Sequence, residues 1–318
     1  MTRFISVRFL ESLCTLVLSS IVIFVGVRAL PGDPAVAMAG EEASKEQIEA
    51  IRASLGLDDP LIVQYGAFVK NMFTLNLGES TRTGQDVVSM LVTALPVTVL
   101  ISLYAIIVAI VIGLLFGIFA ERRRGKLDEL GANIAVLFGL SVPNFWLGLL
   151  AILVLAVSLG WFPASGYVSI TEDPLRCLYY LTLPAFVLGS GLAAVIARQT
   201  RASLIDTMAT DYVRTARATG IAPSRILFRY GLRNSLIVLV TIVGLQLGGL
   251  ISGAVVTERI FALPGIGRIT LDAVFSRDYP VIQAVVLLVT VAYIVINFLV
   301  DILYSVVNPR IRTGGAAS

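Results

Sequence analysis

The sequence predicts an all-α membrane protein of about six transmembrane helices, and three observations predict it. Hydrophobic residues make up 57% of the 318 and charged residues only 14%, with a mean hydropathy of +0.90. A soluble domain carries roughly 25% charged residues, because its surface needs them. The apolar residues also cluster into stretches of about 20, the length that crosses a ~30 Å hydrocarbon layer at ~1.5 Å rise per residue. Helices follow, since lipid offers no partner for backbone N–H and C=O groups.

The first span reads Ser12–Leu30, preceded by Arg3 and Arg8. Its apolar run exceeds the about 7–15 residues of a signal-peptide core, and the small-residue site Ala37-Met38-Ala39 lies well past its end. An uncleaved first helix is the reading. Residues 31–95 differ in kind. Leu30-Pro31-Gly32-Asp33-Pro34 stops the helix and starts a turn. Glu41–Leu55 is polar, with Ile48, Ile51 and Leu55 at helical spacing, and Leu61–Leu75 is a second amphipathic stretch. Gly78–Gly84 reads as loop, so the segment predicts a small folded domain on one side of the membrane. The remaining spans read Pro96–Ala120, Asn133–Leu159, Tyr179–Arg198, Ser235–Thr257 and Ala284–Ser305. Pro96 is expected in the first turn of its helix, where proline is tolerated. Pairs such as Gly113/Gly117, Gly244/Gly248 and Gly249/Gly253 predict close helix approach, because packing rather than water exclusion drives association in lipid.

Orientation follows from the basic residues. The N-terminus, Glu121–Leu130, Arg198–Arg233 and the tail after Val306 together hold 15 of the 24 Lys and Arg residues. The positive-inside rule places these segments, and both termini, in the cytoplasm. The chain then divides into residues 1–30, an extracytoplasmic domain at 31–95, a transmembrane core at 96–305 containing a cytoplasmic loop at 199–234, and a tail at 306–318.

Several function classes fall away. There is no histidine, the commonest general base and metal ligand, and only two cysteines, Cys14 and Cys177, which read as unpaired small hydrophobes. Neither a zinc site nor a Cys/His nucleophile pair can be built, and H-E-x-x-H, G-x-S-x-G and paired intramembrane carboxylates are all lacking. No catalytic residue is expected. A secondary transporter is the rival reading. Such proteins rely on ionisable groups near the membrane midplane or on broken repeated helices. Here Glu11, Arg28, Arg198 and Asp301 sit at span ends.

The most informative segment is the loop containing Asp211-Tyr212-Val213-Arg214-Thr215-Ala216-Arg217-Ala218-Thr219-Gly220. The seven arginines of Arg198–Arg233 are too polar for the bilayer, at about 2.5–3.5 kcal/mol each at its centre. Tyr212, Thr215/Ala216 and Thr219 are expected on one face of a short helix, Arg214 and Arg217 on another, with Gly220 ending it. Ile226, Leu227 and Tyr230 give a second amphipathic piece. Two readings fit: a helix offered to a groove on a cytoplasmic partner, or an arginine-rich helix lying on anionic lipid.

This segment resembles the cytoplasmic "EAA" loop of ABC importer permeases. Arg214-Thr215-Ala216 stands in place of Glu-Ala-Ala six residues before Gly220, as in the branch that handles dipeptides, oligopeptides and nickel, and Arg229-Tyr230-Gly231-Leu232-Arg233-Asn234 is similar to that branch's continuation. Leu30–Pro34, Leu55-Gly56-Leu57-Asp58-Asp59-Pro60 with Gln64-Tyr65, Leu77-Gly78-Glu79-Ser80, and Glu258-Arg259-Ile260-Phe261-Ala262-Leu263-Pro264-Gly265-Ile266-Gly267 extend the resemblance over most of the chain, and to the B-type subunit.

The resemblance implies a type I ABC importer permease fold that works by alternating access. It implies a second homologous permease, two ATPase subunits and an extracytoplasmic binding protein as partners, besides membrane lipid, with no nucleic acid. ATP and magnesium would be held by the ATPases. The chain itself has no Walker loop, since Gly125-Lys126 is followed by Leu127. Coupling to the ATPase would fall to Asp211, Tyr212, Arg214, Thr215, Ala216, Arg217 and Gly220. Candidates for the pore or gate are Asn144, Gln246, Glu258, Phe261, Pro264 and Gly265. Asn144, Gln246 and Asn297 equally fit interhelical hydrogen bonds. The Pro264-Gly265 turn either re-enters the bundle or is a plain exposed turn. Ser141-Val142-Pro143-Asn144 is expected to kink the third span. The expected cargo is a peptide, with nickel or another small solute as the alternative.

Overall fold

A computed structural model describes residues 2–29, 34–39, 43–54, 56–123 and 126–307. In chain order the helices are α1 (Thr2–Ala29), α2 (Pro34–Ala39), α3 (Lys45–Ser54), α4 (Leu61–Thr74), α5 (Val87–Arg122), α6 (Leu127–Ser141), α7 (Asn144–Ala151), α8 (Pro174–Met208), α9 (Asp211–Ala218), α10 (Pro223–Arg225), α11 (Arg233–Ile260), α12 (Ile266–Ser276) and α13 (Tyr279–Val307). Wider π-helical turns extend α7 over Ile152–Ser158 and lead into α11 over Ile226–Leu232. The expected Leu30-Pro31-Gly32-Asp33 turn lies outside the described residues.

Among the described residues four helices are long and apolar enough to cross a membrane: Ser6–Ala29, Val87–Arg122, Pro174–Met208 and Tyr279–Val300. A fifth forms if Leu127–Ser141 and Asn144–Ser158, bent by 108°, count as one span. The expected segment Ser235–Thr257 lies within the 28-residue α11, many of whose side chains are outside the described residues. The bend falls at the proline the sequence points to. Pro143 has no N–H to give, and Val142 before it is held extended at φ −81°, ψ 125°.

Pro96 departs from expectation. Asp86 caps α5, its carboxylate accepting from Ser89 N at 2.8 Å, so the helix starts at Val87 and Pro96 lies in its interior rather than its first turn. The expected boundary at 95/96 therefore falls inside a helix.

The chain forms two compact units, Met1–Thr98 with Pro264–Phe298, and Val99–Leu263 with Leu299–Ser318. In the first, Val87, Leu91 and Ala94 of α5 pack with Ile266 and Ala273 of α12 and Val281, Ile282 and Val285 of α13. The first amide of α12, Ile266 N, donates to Thr98 Oγ1 at 2.9 Å, which satisfies a helix-start donor from a neighbouring helix. Asp278, which sequence reading passed over, is buried, accepting from Ser80 Oγ at 2.5 Å and from Thr81 N at 3.2 Å. That carboxylate pins the Leu77–Ser80 turn. α3 is closed by a capping box: Ser44 N donates to Gln47 Oε1 at 2.9 Å and Gln47 N to Ser44 Oγ at 3.3 Å.

In the second unit α8 is the hub, with α6, α7, α9 and α11 packed on it. Its crossing with α5 is close enough for backbone to meet backbone. A Cβ at Gly113 would lie 2.8 Å from Ala193 O, one at Gly117 2.8 Å from Ala197 O, and one at Gly189 2.6 Å from Ala105 O. The expected Gly113/Gly117 approach is present. Of the other expected pairs, Gly244 lies against Val300, where a Cβ would come within 2.5 Å.

Gly117→Val forces these backbones apart and is expected to cost about 1–3 kcal/mol, as overpacking does, read as a lowered melting temperature of the purified protein. Asp278→Ala leaves Ser80 and Thr81 without their buried acceptor, at about 1–3 kcal/mol. Limited proteolysis should then cut within residues 76–86 faster than in the unaltered chain.

Candidate functional site

The loop helix α9 stands on a small core of its own. Val213 and Ala216, three residues apart and thus on one face, pack on Ile226, with Met208, Ile221 and Tyr230 around them. Val213 is 0% exposed and Ala216 6%. Tyr212, Arg214, Thr215 and Arg217 are exposed. The expected face grouping is therefore altered. Ala216 belongs with Val213 on the buried side, because these are the apolar pair at i, i+3, while Thr215 faces out with the arginines. Val213 could have been found by that spacing.

Local chemistry closes both ends of α9. Asp211 in its first turn and Arg217 in its last complement the helix dipole. Gly220, at φ +77°, takes the left-handed conformation that lets Ile221 N reach Ala216 O at 3.1 Å. The Asp211–Arg214 pair at 3.2 Å is almost fully solvated and adds little to stability. Tyr212 and Tyr230 have ring centroids 6.3 Å apart, and Arg217 reaches Met208 Sδ at 3.8 Å. At Gly231 a Cβ would meet Met208 Cε at 2.8 Å and Leu204 Cδ2 at 2.9 Å, so the returning π turn lies hard against α8. Nearby, Arg201 of α8 pairs with Glu129 of α6, both mostly buried. α9 therefore touches α8 directly and meets α11 by way of the π turn.

The proposed gate residues divide between the two units. In the second, Glu258 and Phe261 are 0% and 1% exposed. α11 ends as Phe261 N donates to Thr257 O at 3.0 Å and Leu263 N to Glu258 O at 2.9 Å, with Ala262 left-handed at φ +53°. A Cβ at Gly148 of α7 would lie 3.5–3.6 Å from Ile260 and the Phe261 ring. Asn144 opens α7 and Gln246 sits in α11, each half-buried. In the first unit, Pro264 and Gly265 line a 540 Å³ cleft with Asp86, Ser89, Arg268 and Asp272. Arg268 and Asp272 form an ion pair at 3.8 Å there. Among the described residues no three His, Cys, Asp or Glu side chains converge as a metal site requires.

The family described as binding-protein-dependent transport system inner membrane component matches residues 113–313, and the N-terminal part of such membrane components matches residues 1–103. A putative peptide transport system permease protein of Brucella abortus is 40% identical over 312 residues, 98% of this chain and 99% of its own. The di/tripeptide transport system permease protein of Pseudomonas aeruginosa is 44% identical over 310 residues, 91% of this chain and 92% of its own. A chain of an inward-facing methionine ABC transporter shares the fold, with a TM-score of 0.57 at 21% identity over 70% of this chain and 97% of that one.

Gly220→Ala places a Cβ in the left-handed region, which is expected to cost about 1–2 kcal/mol. It should lower the melting temperature. In the same mapping, a cysteine replacing Thr215 should react with a water-soluble maleimide, and one replacing Ala216 should not.

Proposed function

Because the chain belongs to the family of binding-protein-dependent transport system inner membrane components, we propose that it forms half of the translocation path of an ATP-driven peptide importer. As a permease subunit it provides the membrane passage, and ATP hydrolysis belongs to other chains. Relatives named for peptide and di/tripeptide transport align over nearly their whole length, which supports a peptide cargo. The second half of the path is a homologous permease. Two ATPase subunits holding ATP and magnesium serve from the cytoplasm, and a binding protein delivers cargo from outside. Both termini and α9 lie on the cytoplasmic side, a placement supported by 15 of the 24 basic residues falling on that side.

The observation that carries the coupling role is the mounting of α9. Val213 and Ala216 fix it to Ile226, while Tyr212, Arg214, Thr215 and Arg217 are exposed, where a partner's groove could receive them. A helix clamped on one face and open on the other is the mode by which helices dock into grooves. When the ATPases close, α9 moves as a rigid handle, and Leu204, Met208 and Gly231 pass the motion to α8 and α11. Asn144, Gln246, Glu258 and Phe261 are proposed along the path, with Pro264 and Gly265 at a turn of the gate.

The test is a reconstituted transporter with Thr215→Cys and a cysteine in the ATPase groove. Oxidation should crosslink the two chains and stop ATP-driven uptake of a labelled dipeptide, with reversal by reductant. Uptake by this chain and its permease partner without the ATPases, or crosslinks at no exposed position of α9, would overturn the reading.

A further inference from the structure

The two helices between α1 and α5 that can be compared by composition are oppositely built. α3 carries Lys45, Glu46, Glu49 and Arg52 in ten residues, as a solvated helix does. α4 has the sequence LIVQYGAFVKNMFT, with one charge, Lys70, and none of its residues buried. Ile62 is 86% exposed and Phe73 74%, with Leu61, Val63 and the following Leu75 also exposed. In water such a surface is an anomaly.

The side of α4 that is packed says where it lies. Gln64 Oε1 accepts from Arg28 at 2.7 Å, the Tyr65 hydroxyl meets Ser20 Oγ at 2.8 Å, and the Tyr65 and Phe68 rings lie 5.3 and 5.8 Å from that of Phe24. Ser20, Phe24 and Arg28 form one stripe on α1, inside the span Ser6–Ala29. At ~1.5 Å rise per residue, Phe24 lies about 7 Å and Ser20 about 13 Å below the Ala29 end. α4 is thus held against the membrane-embedded part of α1, not above it. The side of α1 that carries Leu18, Val22 and Val25 is likewise exposed.

We infer that α4 is an in-plane membrane helix, seated at the boundary of headgroups and acyl chains, and that lipid acyl chains cover Ile62 and Phe73. The depth of Phe24 matches that of interfacial amphipathic helices, about 5–10 Å into the acyl boundary. Lys70 extends its charge toward the headgroups while its stem stays apolar. A groove of 440 Å³ beside α4 agrees with the placement. Its lining includes the polar Arg28 of α1, Asn71 of α4 and Gln283 of α13 and the apolar Phe68, Ala284 and Leu287. The segment between α1 and α5 is therefore not wholly a water-borne domain, as its sequence suggests. Its α4 belongs to the bilayer.

The experiment uses the complete transporter in nanodiscs, with Cys14→Ser and Cys177→Ala and single cysteines replacing Ile62, Phe73, Val22 or Glu49, each carrying a small fluorophore. Brominated phosphatidylcholine should quench the labels at 62 and 73 to the same extent as at 22, and aqueous iodide should quench only that at 49. Iodide quenching at 62 and 73 would place α4 in water and overturn the inference. Insensitivity to both quenchers would mean that a protein subunit covers the face, and would overturn it equally.

Discussion

Lipid removes water as a hydrogen-bonding partner and, with it, the hydrophobic drive that holds soluble helices together. What remains is contact distance. At the crossing of α5 and α8 this constraint is visible atom by atom, since Gly113, Gly117 and Gly189 bring one helix backbone against the other's carbonyls. The second unit is arranged around α8 for that reason. Toward its Met208 end the same helix meets α9 and the wide turn at Ile226–Leu232.

That contact gives α9 its setting. The helix is only eight residues long, too short to be stable alone, and it persists because Val213 and Ala216 are packed on Ile226. The same packing makes its motion inseparable from that of the wide turn at Ile226–Leu232. π-helical turns recur at functional positions because they open a ring in the backbone ladder and so tolerate adjustment. In this chain one lies between the loop helix and α11, and another follows α7.

Much of this was legible in the residues. The hydrophobic runs locate α1, α5, α8 and α13, and Pro143 marks the break between α6 and α7, because each effect is local in sequence. The loop helix and its end at Gly220 are legible for the same reason. Other features depend on which neighbour a side chain meets. Pro96 is a strong local signal, yet Asp86 caps the helix earlier and the proline is carried inside it. Ala216 reads as a surface residue until Ile226 is known to lie beneath it. α4 reads as a water-facing amphipathic helix until Ser20 and Phe24 appear against Tyr65 and Phe68. The side of a helix that faces lipid and the side that faces protein are both apolar, so hydropathy does not distinguish them.

The Asp278 carboxylate joins residues 198 positions apart in the chain. During synthesis the ribosome delivers Ser80 and Thr81 long before their acceptor exists. The turn at Leu77–Ser80 must wait for its carboxylate until the chain has been made as far as the threshold of α13. Its closure thus reports that Asp278 has arrived, and a nascent chain cut short before Asp278 leaves Ser80 Oγ and Thr81 N without that acceptor.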